Sequence, residues 1–83
     1  MIILAYPFVL VNRKEGKMTF AEHLFQLRTA HKLTQRGIAE KIGISWRAYQ
    51  NYELGLREPQ LSTLIALADF YDISLDELAC RQR

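Results

Sequence analysis

A single cysteine, Cys80, is all the thiol this 83-residue sequence holds, so an internal disulfide and a cysteine-rich zinc site are both excluded. Glycine is scarce, with four residues and no cluster, so there is no glycine-rich phosphate loop. Long apolar runs are missing too. The longest, Ile2–Val11, has ten residues, nine of them apolar; it is too short for a membrane span and lacks the basic start of a signal peptide. No acid–base pair or nucleophile constellation stands out, which argues against an enzyme. His23 and His31 sit eight residues apart with no cysteine nearby, which argues against a metal site and leaves surface polarity, and for His31 helix-end compensation, as their expected roles. The expectation is a cytoplasmic, non-enzymatic protein without metal or cofactor.

What remains is globular. Hydrophobic residues make up 49% and charged residues 24%, enough for one domain with one modest core. The net charge of +2 is unevenly spread: residues 1–57 hold nine Lys/Arg against four Asp/Glu, and residues 58–83 hold two against five. Such a split suits a protein with one phosphate-facing half.

Residues 1–17 differ from the rest. Their strand-forming run contains Pro7, which cannot donate in a sheet ladder, so an edge strand or an extended arm is expected. An apolar arm needs a surface to cover, either the helical body or a partner protein.

From Thr19 the pattern is helical, and residues 18–83 read as one domain. Thr19 and Glu22 form a capping box for a first helix that buries Phe20, Leu24 and Leu27 and ends near Ala30–Lys32. Thr34 caps a second helix over Gln35–Lys41, closed by a left-handed turn at Gly43. Gly37 inside it costs about 1 kcal/mol against alanine. Ser45 caps a third helix from Trp46 to about Leu54, with Tyr49 and Tyr52 facing the core. A fourth helix covers about Gln60–Phe70, with Leu61, Leu64, Ile65, Leu67 and Ala68 as its inner side. Ser74 and Glu77 form a capping box for the fifth, whose Leu75 and Leu78 close the core. The predicted fold is all-α: five short helices with an extended N-terminal arm.

The second and third helices, joined at Gly43, have the form of a DNA-reading pair, in which the major groove admits one helix bearing Arg, Asn or Gln. Arg47, early in the third helix, is the first candidate for base reading, able to donate two hydrogen bonds to guanine; the alternative is a solvated surface arginine. Trp46 can press on a thymine methyl or a sugar edge, or pack back on the second helix. Gln50 can touch backbone or base at the groove edge. Arg36 and Arg57 can approach flanking phosphates, which set affinity and salt dependence but not sequence.

The motifs LxxLR at Leu24–Arg28, LTQxxxAxxIGIS at Leu33–Ser45, YxxYExG at Tyr49–Gly55, Pro59, LxxLA at Leu64–Ala68 and SLDEL at Ser74–Leu78 resemble the helix-turn-helix domain of the phage Cro and repressor (xenobiotic-response-element) family. The resemblance spans residues 20–78. It implies a lambda-repressor-like fold and a dimeric repressor of transcription bound to double-stranded operator DNA. It also implies that Asn51 is a second base-facing position and that Gln35 grips DNA or braces the third helix. Arg28 and Glu53 would form a structural ion pair behind the DNA surface; breaking one side of such a covered pair costs about 3–5 kcal/mol. The same likeness points to the fifth helix and the loop before it as the dimer surface, where Phe70, Tyr71 and Ile73 can supply apolar area or belong to the core. An antitoxin-like protein that uses residues 2–11 to bind a partner protein, and the helices to regulate its own promoter, is the alternative.

Lys14-Glu15-Gly16 can be encoded by a purine-rich bacterial ribosome-binding sequence placed just before the Met18 codon. The resulting hypothesis is that translation starts naturally at Met18. N-terminal sequencing of the native protein should then read Met18 or Thr19, and an intact Met1 would refute it.

Overall fold

A hydroxyl or a carboxamide stands at every helix start. In the computed structural model, which describes residues 18–80, five helices form: α1 Phe20–Ala30, α2 Gln35–Ile42, α3 Trp46–Glu53, α4 Leu61–Tyr71 and α5 Leu75–Leu78. No strand occurs among the described residues. Residues 1–17, and with them the expected arm, lie outside that range.

At α1 the capping box is complete: Glu22 N donates to Thr19 Oγ1 at 3.1 Å, and Thr19 N donates to Glu22 Oε1 at 2.7 Å. Thr34 Oγ1 accepts from Gly37 N, and Ser45 Oγ from Ala48 N. Each such cap contributes about 1 kcal/mol. At α5 only half of the expected box forms, because Ser74 Oγ accepts from Glu77 N while the Glu77 carboxylate makes no return bond. Gln60 precedes α4 without a side-chain cap bond, so that helix starts at Leu61 and not at Gln60.

α1 and α2 pack on α3, α4 backs α2, and α5 lies between α4 and α1. The buried core is Leu24, Ile38, Ala39, Tyr49, Leu67, Ala68, Tyr71 and Leu78, with Phe20, Leu27, Leu33, Tyr52 and Leu64 packed partly buried around it. Several expected core positions are corrected. Leu61 is 63% exposed and Ile65 43%. α4 carries more apolar residues than one face can bury, and the face bearing Leu67, Ala68 and Tyr71 takes the core. Tyr71 is therefore unavailable as dimer area, whereas Phe70 is exposed. In the four-residue α5 only Leu78 reaches inward, and Leu75 stays at the surface. His23 is more than surface polarity: its Nδ1 lies 3.0 Å from the Leu78 carbonyl oxygen and ties α1 to the end of α5. His31 packs its ring at 4.8 Å from that of Tyr71.

One buried carboxylate joins the first three helices. Glu53, 1% exposed, accepts from Arg28 Nε at 2.7 Å and from the Tyr49 hydroxyl at 2.7 Å on Oε2. Its Oε1 accepts from an Arg28 terminal nitrogen at 3.1 Å and from Gln35 Nε2 at 3.0 Å. Arg28 also donates to the Leu33 carbonyl, which ties the turn between α1 and α2 to the same group. Burial, then the bond to Glu53, holds the Tyr49 hydroxyl far above its ordinary range. Burial, and then the charge of Glu53, pushes Tyr71 up to about 12, with Arg28 opposing. The Tyr71 hydroxyl is buried and has no hydrogen-bond partner among the described residues.

Two sets of substitutions check this account. Gly43 has φ of 78°, so Gly43→Ala should cost about 1–2 kcal/mol for a left-handed residue with a Cβ. A Cβ on Gly37 would meet Thr34 Oγ1 at 3.0 Å, so Gly37→Ala should fail to deliver the roughly 1 kcal/mol that helix propensity alone predicts. A clear rise in melting temperature for Gly37→Ala would contradict the clash. The two core tyrosines should respond oppositely to loss of the hydroxyl. Tyr49→Phe removes a donor from a buried charge and should cost about 1–3 kcal/mol, while Tyr71→Phe removes only an unpartnered group and should be neutral or stabilising. Because the folded state disfavours ionised Tyr71, its contribution is complete below the ordinary value of 10.0 and is lost as pH rises through about 12. Urea denaturation at pH 7 and above pH 10 measures both effects, and Tyr71→Phe should flatten the alkaline loss.

Candidate nucleic-acid interface

The α2–α3 pair is held by small side chains and a turn. Ala39, 2% exposed, allows the helices to approach, and Ile44 N donates to the Ala39 carbonyl at 3.0 Å across the left-handed Gly43. Tyr49, fully buried, pins the inner side of α3 and presents its hydroxyl to Glu53. These constraints fix which residues of α3 face away from the core.

The seven expected contact residues fall into two groups. Arg47 is exposed, on the first turn of α3, and makes no hydrogen bond or ion pair with the other described residues. Asn51, one turn on, is half-buried; its carbonyl accepts from Leu56 N at 2.9 Å, and its side-chain amide makes no bond within the described residues. Arg57 is exposed in the loop between α3 and α4.

The other four are linked to one another. Gln35, at the start of α2, donates to Glu53 and turns its oxygen toward α3, where Trp46 Nε1 donates at 3.3 Å and Gln50 Nε2 at 3.4 Å. Both bonds lie beyond the usual N–H···O range, so an outside acceptor can compete for either donor. Trp46 is half-buried, and the Arg36 guanidinium carbon lies 4.3 Å from the centroid of its ring. The Trp46 ring thus lies against two α2 side chains, Arg36 and Gln35. Sequence reasoning missed the Arg36 stack, since ten residues separate the pair and no periodic pattern links them. It also missed the Tyr49–Glu53 bond, which the four-residue spacing on one helix could have signalled.

Other chemistry has little here to work with. No group of three metal-binding side chains occurs among the described residues, and no helix there is long and apolar enough to cross a membrane. Burial, then the nearby Glu22 carboxylate, raises the Cys80 thiol above its ordinary range, which works against thiolate reactivity.

Comparison with known proteins agrees with the geometry. A helix-turn-helix family model matches residues 24–78. An uncharacterised helix-turn-helix transcriptional regulator of Bacillus subtilis, YqaE, is 49% identical over 59 residues, which is 71% of this chain and 51% of that protein. The cryptic phage CTXphi transcriptional repressor RstR of Vibrio cholerae is 41% identical over 77% of this chain and 57% of its own. The transcriptional activator BcrR of Enterococcus faecalis is 38% identical over 74% of this chain and 30% of its own. The chain thus spans about half the length of the first two, and less of the third. Among solved structures, a transcriptional regulator from Listeria innocua superposes with a TM-score of 0.75 at 33% identity, covering 81% of this chain and 63% of that one. The SOS-response repressor LexA of Eubacterium rectale gives a TM-score of 0.69 at 30% identity, covering 72% and 64%. With the buried glutamate, the left-handed turn and the exposed face of α3 in their places, the chain belongs to the helix-turn-helix family of DNA-binding transcriptional regulators, of the Cro and repressor type.

Proposed function

We propose that this protein is a sequence-specific regulator of the cytoplasm that binds double-stranded DNA as a homodimer, reads the major groove with α3 and represses transcription. The observation that carries the reading is Arg47: exposed, without a hydrogen bond or ion pair among the described residues, on the first turn of a helix locked from behind by Tyr49 and Glu53. In this reading Arg47 donates two hydrogen bonds to guanine, worth about 1–3 kcal/mol against a wrong base pair, and Asn51 takes an adenine. Gln50 meets the DNA from beside Gln35, whose side-chain oxygen its Nε2 reaches at 3.4 Å. Arg36, Arg57 and the start of α2 take phosphates, adding affinity without choosing sequence.

Two modules are needed because one makes too few contacts for operator affinity, and a twofold pair places its reading helices one DNA turn apart. The exposed large apolar side chains (Leu54, Leu56, Leu61, Ile65, Phe70 and Leu75) support pairing. All belong to the end of α3, the loop after it, α4 and α5, so the pairing surface lies in the C-terminal half. Repression is favoured over activation by the larger share and higher identity of the RstR match relative to BcrR. The antitoxin-like reading depends on residues 2–11, which lie outside the described residues.

Selection of duplexes from a random pool should enrich a twofold-symmetric site with wild type. Arg47→Ala, folded by circular dichroism, should lose preference at symmetric base positions, with an affinity loss of about 1–3 kcal/mol per half-site. Sedimentation should report a dimer on the duplex. A folded wild type that enriched no sequence would sink the proposal.

A further inference from the structure

Arg36 and Trp46 come from different helices, yet the guanidinium carbon stands 4.3 Å from the ring centroid, well inside the roughly 6 Å reach of a cation–π contact. The contact uses the flat faces of both groups. The guanidinium N–H donors lie in its own plane and stay available to an acceptor. Glu40, one turn along α2, shares no ion pair with Arg36 among the described residues, although that spacing permits one. The ring is half-buried, and its Nε1 lies 3.3 Å from the Gln35 side-chain oxygen. An exposed arginine therefore rests on a half-buried ring.

We propose that Trp46 is a positioning residue, whose ring holds Arg36 ready to clamp a backbone phosphate of duplex DNA beside α3. The inference rests on the proposed DNA-reading function and gives Trp46 a task other than reading a base. A free arginine must give up rotamer freedom to bind, and a stacked one has surrendered part of it beforehand. The ligand class follows from chemistry: a planar fork matches two phosphate oxygens. Arg36 also lies in the first turn of α2, where the positive end of the helix favours an anion. The ring's contribution to affinity should be about two- to fivefold. It should be blind to base sequence, because phosphate contacts carry none.

The test uses the full chain and the duplex that wild type selects, with affinity read by fluorescence anisotropy across a potassium chloride series. Arg36→Ala should lower the slope of log affinity against log salt by about one. Trp46→Leu should weaken binding about two- to fivefold and reduce the slope. The double variant Arg36→Ala/Trp46→Leu should bind no worse than Arg36→Ala alone. Trp46→Phe, which keeps a ring and loses the indole N–H, should retain most of the wild-type affinity and slope. Thermal melts establish that each variant is folded. Independent losses in the double variant, or a Trp46→Phe as weak as Trp46→Leu, would overturn the inference. A changed base preference in Trp46→Leu would overturn it too, by showing that the indole reads a base. A wild type that bound no duplex would remove the proposed function and this inference together; independent losses in a binding protein remove only the inference.

Discussion

A carboxylate taken out of water is the constraint on which this domain depends. Moving such a charge inside costs several kcal/mol unless donors surround it, and Glu53 is almost completely covered. Its two oxygens accept four hydrogen bonds, drawn from α1, α2 and α3 itself. No rearrangement of these helices can keep that set intact by halves. Where an apolar core of this size would tolerate sliding of one short helix on another, the charge requires Arg28, Gln35 and Tyr49 to arrive together.

That arrangement extends outward through Gln35. Its nitrogen is committed to Glu53, so its oxygen must face the opposite way, toward the donors on Trp46 and Gln50. The orientation of an amide at the protein surface is set by a buried charge, and that amide's oxygen is what the Trp46 and Gln50 donors meet. Arg47 and Asn51 are outside this chain of bonds. Their freedom is what a reading surface needs: a rigid helix carrying unspent donors. The polar groups thus divide between those that build the platform and those that the proposed function assigns to DNA.

Much of this was legible in the sequence because the signals were local. Thr19, Thr34, Ser45 and Ser74 each accept the hydrogen bond their position announced, and Gly43 adopts the left-handed turn, so four helix starts follow from capping alone. Gly37 looked like a defect by propensity; a Cβ there would stand 3.0 Å from Thr34 Oγ1, a contact relieved only by a shift of the Thr34 side chain. Positions decided by tertiary competition were not legible. Residues Leu61–Tyr71 are apolar on nearly every side, so periodicity could not tell which stripe would be covered. Leu61 and Ile65 lost to Leu67, Ala68 and Tyr71. Likewise no local pattern joins His23 to the Leu78 carbonyl, or Arg36 to the ring of Trp46. Which of the candidate contact residues bond to one another, and which stand exposed, is visible only in space.

Burial also sharpens the charge asymmetry beyond what counting gives. Residues 18–80 contain six basic and eight acidic side chains, an unpromising sum for a partner of a polyanion. Among residues 18–57, however, Glu22 and Glu53 are buried and Arg28 is consumed by Glu53. What faces water there is Lys32, Arg36, Lys41, Arg47 and Arg57 against Glu40 alone. From residue 58 to 80 the exposed charges are Glu58, Asp69, Asp72, Asp76 and Glu77, with no basic residue at all. The domain measures 34 × 34 × 22 Å, several times the roughly 8 Å over which physiological salt lets charges act. An approach that leads with α2 and α3 therefore meets Arg36, Lys41 and Arg47 against Glu40. The proposed dimer brings two acidic halves together, so salt relieves repulsion in pairing while it weakens attraction to phosphate. Affinity for an operator then reflects two opposed electrostatic terms, and a salt slope shallower than the number of phosphate contacts is the expected consequence of the fold's own polarity.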